Sequence, residues 1–91
     1  MAVHPKATHS YQLATLSFIH TELETAETFA DIALLSEDAA KTERNRKNAR
    51  IGYDTALRFL ATLSAGRDEN RHLQQKLANV RSKLRVLGET F

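Results

Sequence analysis

The stretch LQQKLANVRSKLRVL, Leu73–Leu87, decides the fold class of this protein. Its apolar residues recur in alternating steps of four and three, at Leu73, Leu77, Val80, Leu84 and Leu87. This heptad spacing puts all five side chains on one narrow stripe of an α-helix. The stripe predicts a helix that lies along a single seam. That seam is filled either by the groove between two other helices of the same chain or by a second chain.

Two further long helices are predicted upstream of this stretch. Between Thr8 and Leu35, apolar residues occupy a broad arc of the helical wheel and polar residues occupy the opposite arc, which is the pattern of an amphipathic helix. A second amphipathic helix is predicted over 37–65. Ser36 is its expected N-cap, and Gly66 is its expected left-handed C-terminal cap.

Helix breakers are sparse, so long helices should dominate the fold. The chain has one proline and three glycines, and no window shows the alternation of a strand. The third helix is predicted over 68–87, with Gly88 as its C-terminal cap. The sequence therefore predicts an all-α fold, a three-helix antiparallel (up-down-up) bundle over residues 8–91, preceded by a flexible tail over 1–7.

The composition indicates a small soluble domain without covalent cross-links. The 91 residues contain no cysteine, so neither a disulfide nor a thiolate metal site is available. No apolar run approaches the roughly 20 residues that span a bilayer. The first residues, MAVHPKATHS, lack the apolar core of a signal peptide. A cytoplasmic location without membrane insertion is therefore the expectation.

Candidate catalytic and metal-binding groups are few. His20 and Glu24 are four residues apart on the polar face of the first helix, so both could reach one divalent ion. Side chains on an exposed ridge diverge, however, and we predict that this face is a solvated acidic ridge. No serine lies in a G-x-S-x-G turn, and no glycine-rich loop could hold a phosphate. We therefore expect no catalytic residue, no metal, no cofactor and no enzymatic activity.

Cations are concentrated in the second and third helices. Residues 1–36 carry a net charge of −3, residues 37–65 carry +2 and residues 66–91 carry +3, which sum to the net +2 of the protein. The densest stretch, KTERNRKNAR (Lys41–Arg50), has five cations and one carboxylate, as on the solvated face of an amphipathic helix. The alternative is a weak nucleic-acid interface on the basic faces of the second and third helices. Its candidate residues are Arg44, Lys47 and Arg50. Nucleic acid is the less favoured partner, because no aromatic side chain lies among these cations.

A short segment of the second helix resembles a known repeat family. In ARIGYDTAL, Ala49, Tyr53 and Ala56 follow the pattern Ala-x-x-x-Tyr-x-x-Ala, which resembles the second helix of a tetratricopeptide (TPR) hairpin. The resemblance covers residues 49–56 and lacks the family's first-helix pattern and turn proline. The three-helix layout also looks like that of a microtubule-interacting-and-transport (MIT) domain. Both families bind peptides or helices of partner proteins, so the resemblance implies an interaction role. Independently of it, Ala49, Gly52 and Ala56 form a small-residue strip that lets another helix come close.

An elongated bundle of three helices leaves part of its apolar surface uncovered. The broad apolar arc of the first helix includes Tyr11, Phe18 and Phe29, and we expect these residues to stay exposed. Exposed apolar area of this kind is typical of an interface. We therefore expect a non-enzymatic protein–protein interaction module. Self-association into a homodimer is one form this interaction could take, and the sequence identifies no other partner.

Overall fold

The structure of the protein is a computed structural model, and it describes residues 5–63 and 66–91. The described residues form three helices, α1 (Pro5–Leu35), α2 (Ala39–Leu60) and α3 (Arg67–Val86), and contain no strand. The helices pack against one another in a bundle of 57 × 21 × 18 Å. The predicted all-α, three-helix fold is therefore confirmed.

Contacts between the helices establish the up-down-up order. Phe18 in the first half of α1 contacts Phe59 at the end of α2, so these two helices are antiparallel. The polar pairs between α1 and α3 are, in order, His20–Glu69, Glu24–Lys76 and Asp31–Lys83. These pairs advance along both helices in the same direction. α3 therefore runs parallel to α1.

The heptad seam of α3 is filled inside the chain. The first four of its apolar residues are buried, and the fifth, Leu87, packs against the core. The largest buried side chains of the other two helices, Ile19, Leu23 and Tyr53, belong to the same cluster. Of the two ways to fill the seam, the structure therefore shows the intramolecular one.

α1 and α2 approach each other along a strip of small residues. On α2 the strip is the predicted one, since Ala49, Gly52 and Ala56 are all buried. A Cβ atom built on Gly52 would lie 3.0 Å from the Cβ of Ala26 and 3.3 Å from the carbonyl oxygen of Glu22. Both distances are shorter than an ordinary contact of roughly 3.5–4.0 Å. Glycine is therefore the residue that fits here without moving the two helices apart.

α2 begins later than predicted, at Ala39, and its N-cap is Asp38. The Asp38 carboxylate accepts hydrogen bonds from the backbone N–H groups of Ala40 and Lys41, at 2.9 and 3.3 Å. The Ser36 hydroxyl instead accepts from the backbone N–H of Asp38, at 3.2 Å, and so orders the link before the helix. The prediction of Ser36 as the cap is wrong, because the carboxylate two residues further on reaches the free N–H groups of the first turn.

α2 ends at Leu60, short of the predicted residue 65. The chain tightens after it, because the N–H groups of Thr62 and Leu63 bond to carbonyl groups three residues back. The Thr62 hydroxyl also donates to the Phe59 carbonyl, at 2.8 Å, which favours the turn over a further helical turn. Residues 64–65 of the predicted helix lie outside the described residues.

The two glycines that flank α3 have different roles. Gly66 has φ −65° and ψ 165° and is the N-cap of α3, so its prediction as a left-handed cap of α2 is wrong. The reason is that α2 ends before it. Gly88 does adopt a left-handed φ of 97°. Its N–H bonds to the Arg85 carbonyl, and the Glu89 N–H bonds to the Leu84 carbonyl, which together form a Schellman motif.

α1 ends at Leu35 as predicted but starts at Pro5, inside the segment 1–7 that the sequence predicts as a tail. Proline suits the first position of a helix, because its nitrogen has no hydrogen that would be left unpaired there. Residues 1–4 of the predicted tail lie outside the described residues. α3 starts and ends within one residue of its predicted bounds.

The acidic face of α1 is paired with cations of α3. Lys76 donates to Glu24 at 3.0 Å, and Lys83 lies 2.7 Å from Asp31 and 3.2 Å from Glu27. The bond from Lys76 holds the pKa of Glu24 below its ordinary value. The bonds to Asp31 and Glu27 raise the pKa of Lys83. The predicted ridge is partly exposed, but it is not an unpartnered solvated face, because α3 lies beside it.

We expect the Glu24–Lys76 pair to make stability depend on acid pH. The pKa of Glu24 is lower in the folded than in the unfolded chain, so the unfolded state binds more protons as the pH falls. The contribution is present above the ordinary carboxylate pKa and is lost as the pH falls through the folded-state pKa. Urea unfolding curves recorded in steps from about pH 6 to about pH 3 should therefore lose less stability for Glu24→Gln than for the wild type.

The matched control for this experiment is Glu37→Gln, which changes an exposed carboxylate in the link between α1 and α2. This variant should follow the wild-type pH dependence. The difference for Glu24→Gln should be modest, because its carboxylate is largely exposed and screened by solvent. A Glu24→Gln curve that runs parallel to the wild type throughout would show that the pair contributes nothing to stability.

Candidate interaction surface

Tyr11 and Phe18 of α1 and Phe59 of α2 form an apolar surface at one end of the bundle. Phe18 and Phe59 meet edge to face, with ring centroids 4.9 Å apart and ring planes at 69°. Together with Ala14 and Thr15, the three rings line an open hollow of about 270 Å³. These five residues are named the aromatic end surface.

The lengths of the helices explain why this surface is uncovered. α1 has 31 residues and α3 has 20. The first turn of α3 lies beside His20, because Glu69 bonds to that side chain at 2.8 Å. The part of α1 that precedes His20 therefore extends past the start of α3. Tyr11 is accordingly 72% exposed, Phe18 39% and Phe59 37%.

The α1 part of the aromatic end surface carries no charge. The segment YQLATLSFI, Tyr11–Ile19, contains no Lys, Arg, His, Asp or Glu. The Thr15 hydroxyl donates to the Tyr11 carbonyl at 3.0 Å, so this polar group is satisfied within the helix. A partner that covers this segment would not have to desolvate an ionised group on it.

Phe29 is not part of the aromatic end surface. It is partly buried against the core and lines a separate depression of about 330 Å³. The other residues around that depression are Glu22, Thr25, Ala26, Asn48, Ile51 and Gly52. The walls are therefore mixed, with a carboxylate, a hydroxyl and an amide among the apolar groups. Of the three predicted apolar residues, the structure brings Tyr11 and Phe18 together and leaves Phe29 apart.

The three predicted anion-binding cations do not form one free patch. Arg44 is exposed, and Lys47 lies 3.9 Å from Glu43. Arg50 is paired with carboxylates, because its guanidinium bonds to Asp54 at 3.1 Å and to Glu89 at 3.1 Å. A nucleic-acid interface built on this trio would have to break the bonds of Arg50.

His20 is held between two side chains of α3. The Lys76 ammonium lies 3.0 Å from Nδ1 of His20 and also donates to Glu24. An ammonium group can only donate, so Nδ1 accepts from Lys76 and Nε2–H donates to Glu69 at 2.8 Å. Among the side chains that the structure describes, those of residues 11–63 and 66–91, no three His, Cys, Asp or Glu groups are placed to hold one metal ion. Over residues 5–63 and 66–91, no helix is long and apolar enough to cross a bilayer.

Phe59 is the member of the aromatic end surface that sequence reasoning did not select. Its position at the edge of the apolar arc of α2 is the signal that the sequence offers. Which residue of α1 it meets depends on how far α2 runs back along α1. That distance follows from the link at 36–38 and the contact of Gly52 with Ala26.

Comparisons with protein-family models, with curated proteins and with solved structures found no significant match to this chain.

Proposed function

We propose that the protein is a non-enzymatic protein–protein interaction module that associates with a second copy of itself through the aromatic end surface. The observation that carries this proposal is the partly exposed cluster of Tyr11, Phe18 and Phe59, at the end of α1 that α3 does not cover, together with the absence of charge in the α1 segment. Aromatic side chains are enriched in the centres of protein interfaces, where they bury large areas.

A second copy is the partner that this surface fits best. Two-fold association brings the same patch of each chain against itself, so like charges within the patch would face one another. The segment Tyr11–Ile19 has none, so no like charges of this segment would face one another, and the nearest cation on the α2 side is Arg58, whose guanidinium lies 5.9 Å from the Phe59 ring. The open hollow that Tyr11, Phe18 and Phe59 line with Ala14 and Thr15 can receive a ring such as Tyr11 of the other copy. The two α1 helices would then each cover the side of the other that lacks a neighbour.

The resemblance of residues 49–56 to a TPR helix and of the layout to an MIT domain agrees with an interaction role. It does not specify the surface, because Ala49, Tyr53 and Ala56 are buried inside the bundle. In this proposal they build the scaffold, and the aromatic end surface binds the partner.

Changing Tyr11 to glutamate should weaken self-association at least about tenfold, because each two-fold contact would then bury two carboxylates at an apolar patch. The measurement is the solution mass by light scattering on a sizing column, over roughly a hundredfold range of concentration. The wild type should shift toward twice the mass of one chain as concentration rises. The Tyr11→Glu variant should stay at the mass of one chain over the same range.

Leu35→Glu is the matched control, because Leu35 is also an exposed apolar residue of α1, 83% exposed, but lies at the opposite end of the helix. This variant should associate like the wild type. Circular dichroism should show the same helix content for all three proteins. A wild type that stays monomeric at the highest concentration contradicts the proposal, and so does an equal loss of association in both variants.

A further inference from the structure

Four arginines and a tyrosine surround the segment 88–91, which follows α3 and folds back over α2. Arg46, Arg50 and Tyr53 come from α2, and Arg81 and Arg85 come from α3. These five residues are named the arginine cluster. It lies away from the aromatic end surface and takes no part in the proposed self-association.

The arginine cluster holds the segment 88–91 at three chemically different points. The Glu89 carboxylate, with its side chain 16% exposed, accepts from Arg46 and, at 3.1 Å, from Arg50. The Thr90 carbonyl accepts from Arg50 at 2.9 Å. The Phe91 ring lies 4.3 Å from the Arg50 guanidinium and is therefore in a cation–π contact. A carboxylate, a backbone carbonyl and an aromatic ring are thus recognised together.

The Phe91 ring also has neighbours on α2 and α3. Its centroid is 5.2 Å from the Tyr53 ring, in an edge-to-face arrangement with planes at 73°. The guanidinium groups of Arg85 and Arg81 lie 5.6 and 6.0 Å from it. The ring is therefore received by a preformed ring edge and by three cations.

Groups outside the segment 88–91 already hold Arg46 and Arg50 in place. Arg46 donates to Glu43 at 3.1 Å, and Arg50 donates to Asp54 at 3.1 Å. Each of these arginines thus has a second carboxylate. Site groups that keep their partners lose little order when the ligand leaves, so the site is pre-organised.

Tyr53 and Arg81 are fixed in the same way. Tyr53 is buried in the core, and its hydroxyl accepts from Nε of Arg81 at 2.7 Å. The bond from Arg81 helps to fix the orientation of the Tyr53 ring, which Phe91 contacts. Neither group needs the segment 88–91 to stay in its position.

The segment 88–91 lies on the surface of the bundle and is not part of the hydrophobic core. It begins at Gly88, whose φ of 97° ends the helix, and Thr90 and Phe91 remain exposed, the latter by 51%. Its polar contacts with α2 are charge-assisted bonds to arginine, which salt screens. When the segment leaves, four guanidinium groups remain with the carboxylates of Glu43 and Asp54, so the cluster has an excess of positive charge.

We propose that the arginine cluster is a binding site for peptide segments that carry a carboxylate two residues before an aromatic side chain, and that Glu89–Phe91 occupies it within the same chain. The partner is a protein with an exposed segment of the form Glu-x-Phe. The segment 88–91 competes with that partner, and so it sets the concentration at which the partner binds.

The concentration of external peptide that is needed to displace the segment 88–91 can be estimated. A segment tethered to its site through one glycine has an effective concentration in the millimolar range. An external peptide with the same contacts must therefore reach a comparable concentration to displace it. Removing the Glu89 carboxylate and the Phe91 ring should end this competition and lower the apparent Kd of the external peptide at least about tenfold.

The test uses the full chain with the double change Glu89→Gln and Phe91→Ala. The probe is the N-acetylated, C-amidated tetrapeptide Gly-Glu-Thr-Phe, titrated into the isotope-labelled protein and followed by backbone and arginine Nε–H chemical shifts. Saturable shifts are expected on α2 around Arg50 and on α3 around Arg81. The wild type should need at least about tenfold more peptide for the same shifts.

Two controls define the chemistry of the site. The peptide Gly-Gln-Thr-Ala, which lacks the carboxylate and the ring, should cause no saturable shift. Adding Arg50→Gln to the double variant should remove binding of Gly-Glu-Thr-Phe, because Arg50 contacts all three recognition points. If the double variant loses helix content, the single change Phe91→Ala serves in its place, and its apparent Kd should fall by less, because Glu89 still occupies Arg46 and Arg50.

Four results would overturn the proposal. One is a folded variant that shows no saturable shift at tens of millimolar peptide. Another is equal binding to the variant and to the wild type, which would mean that the segment 88–91 does not occupy the site. The third is saturable shifts that map away from the arginine cluster. The fourth is a variant that loses stability and binds no peptide, which would mean that the segment has a structural role only.

Discussion

Replacing Gly52 with leucine is expected to lower the free energy of unfolding by about 3 kcal/mol or more, which is a large part of the stability of a domain of this size. The first added atom would lie 3.0 Å from the Cβ of Ala26 and 3.3 Å from the Glu22 carbonyl oxygen. Neither neighbour can rotate away, because one is a methyl group and the other is helix backbone. The two helices would have to separate, and the core that they share with α3 would lose its packing.

Chemical denaturation followed by circular dichroism measures this loss. The matched control is Gly66→Leu, where an added Cβ meets no atom within 4 Å and φ is already −65°. Gly66→Leu should lower the free energy of unfolding by no more than about 1 kcal/mol, the effect expected when an N-cap residue is changed. A Gly52→Leu protein as stable as Gly66→Leu would contradict the close approach of α1 and α2.

The contact at Gly52 also has a reciprocal test. Gly52→Ala adds the single methyl group that meets Ala26, and Ala26→Gly removes the methyl group that it meets. The double variant should be more stable than the sum of the two single changes predicts. A coupling free energy of about 0.5–3 kcal/mol is expected for residues in direct contact. If the effects of the two changes on the free energy of unfolding simply add, the clash is not between residues 52 and 26.

Shortening Leu77 to alanine is expected to cost about 2–5 kcal/mol, because the side chain is fully buried in the seam and the site has little room to collapse. The seam is filled by the chain's own groove, so the loss should not depend on protein concentration. The measurement is a series of unfolding curves at several concentrations. It is made in the Tyr11→Glu background, so that the proposed self-association does not contribute.

Leu35→Ala is the control for Leu77→Ala, since it removes the same atoms from an exposed position of α1. It should change the free energy of unfolding by less than about 0.5 kcal/mol. A loss for Leu77→Ala that grows as the protein is diluted would instead mean that the seam is shared with a second chain. Equal losses for the two variants would contradict the burial of the seam.

The core of this fold could be predicted because its signals are local in sequence. The heptad steps from Leu73 to Leu87 define a helix face whatever that face contacts, and the strip Ala49, Gly52 and Ala56 defines a place of close approach. Helix ends were harder, since Ser36 and Asp38 are both good N-caps and local rules do not rank them. At the other end, α2 stops at Leu60, next to a turn in which the Thr62 hydroxyl donates to the Phe59 carbonyl.

The polar contacts between helices could not be predicted, because they join residues far apart in the chain. Glu24 and Lys76 are 52 residues apart, and Arg50 and Glu89 are 39 apart. Their meeting depends on the rotation of α3 about its own axis, which the narrow seam sets only approximately. The aromatic end surface was predicted in part, since Tyr11 and Phe18 share a face of α1. Phe29 shares that face as well, but it lies too far along the helix to join them.

The strip of Ala and Gly between α1 and α2 limits how this sequence can drift. A leucine of the α3 seam can be exchanged for isoleucine or methionine, because neighbouring side chains can change rotamer to accept a new shape. Gly52 and Ala26 have no rotamers, so a larger residue there cannot be accommodated by repacking. Among descendants of this chain, substitutions should therefore accumulate in α3 before they reach the contact between α1 and α2.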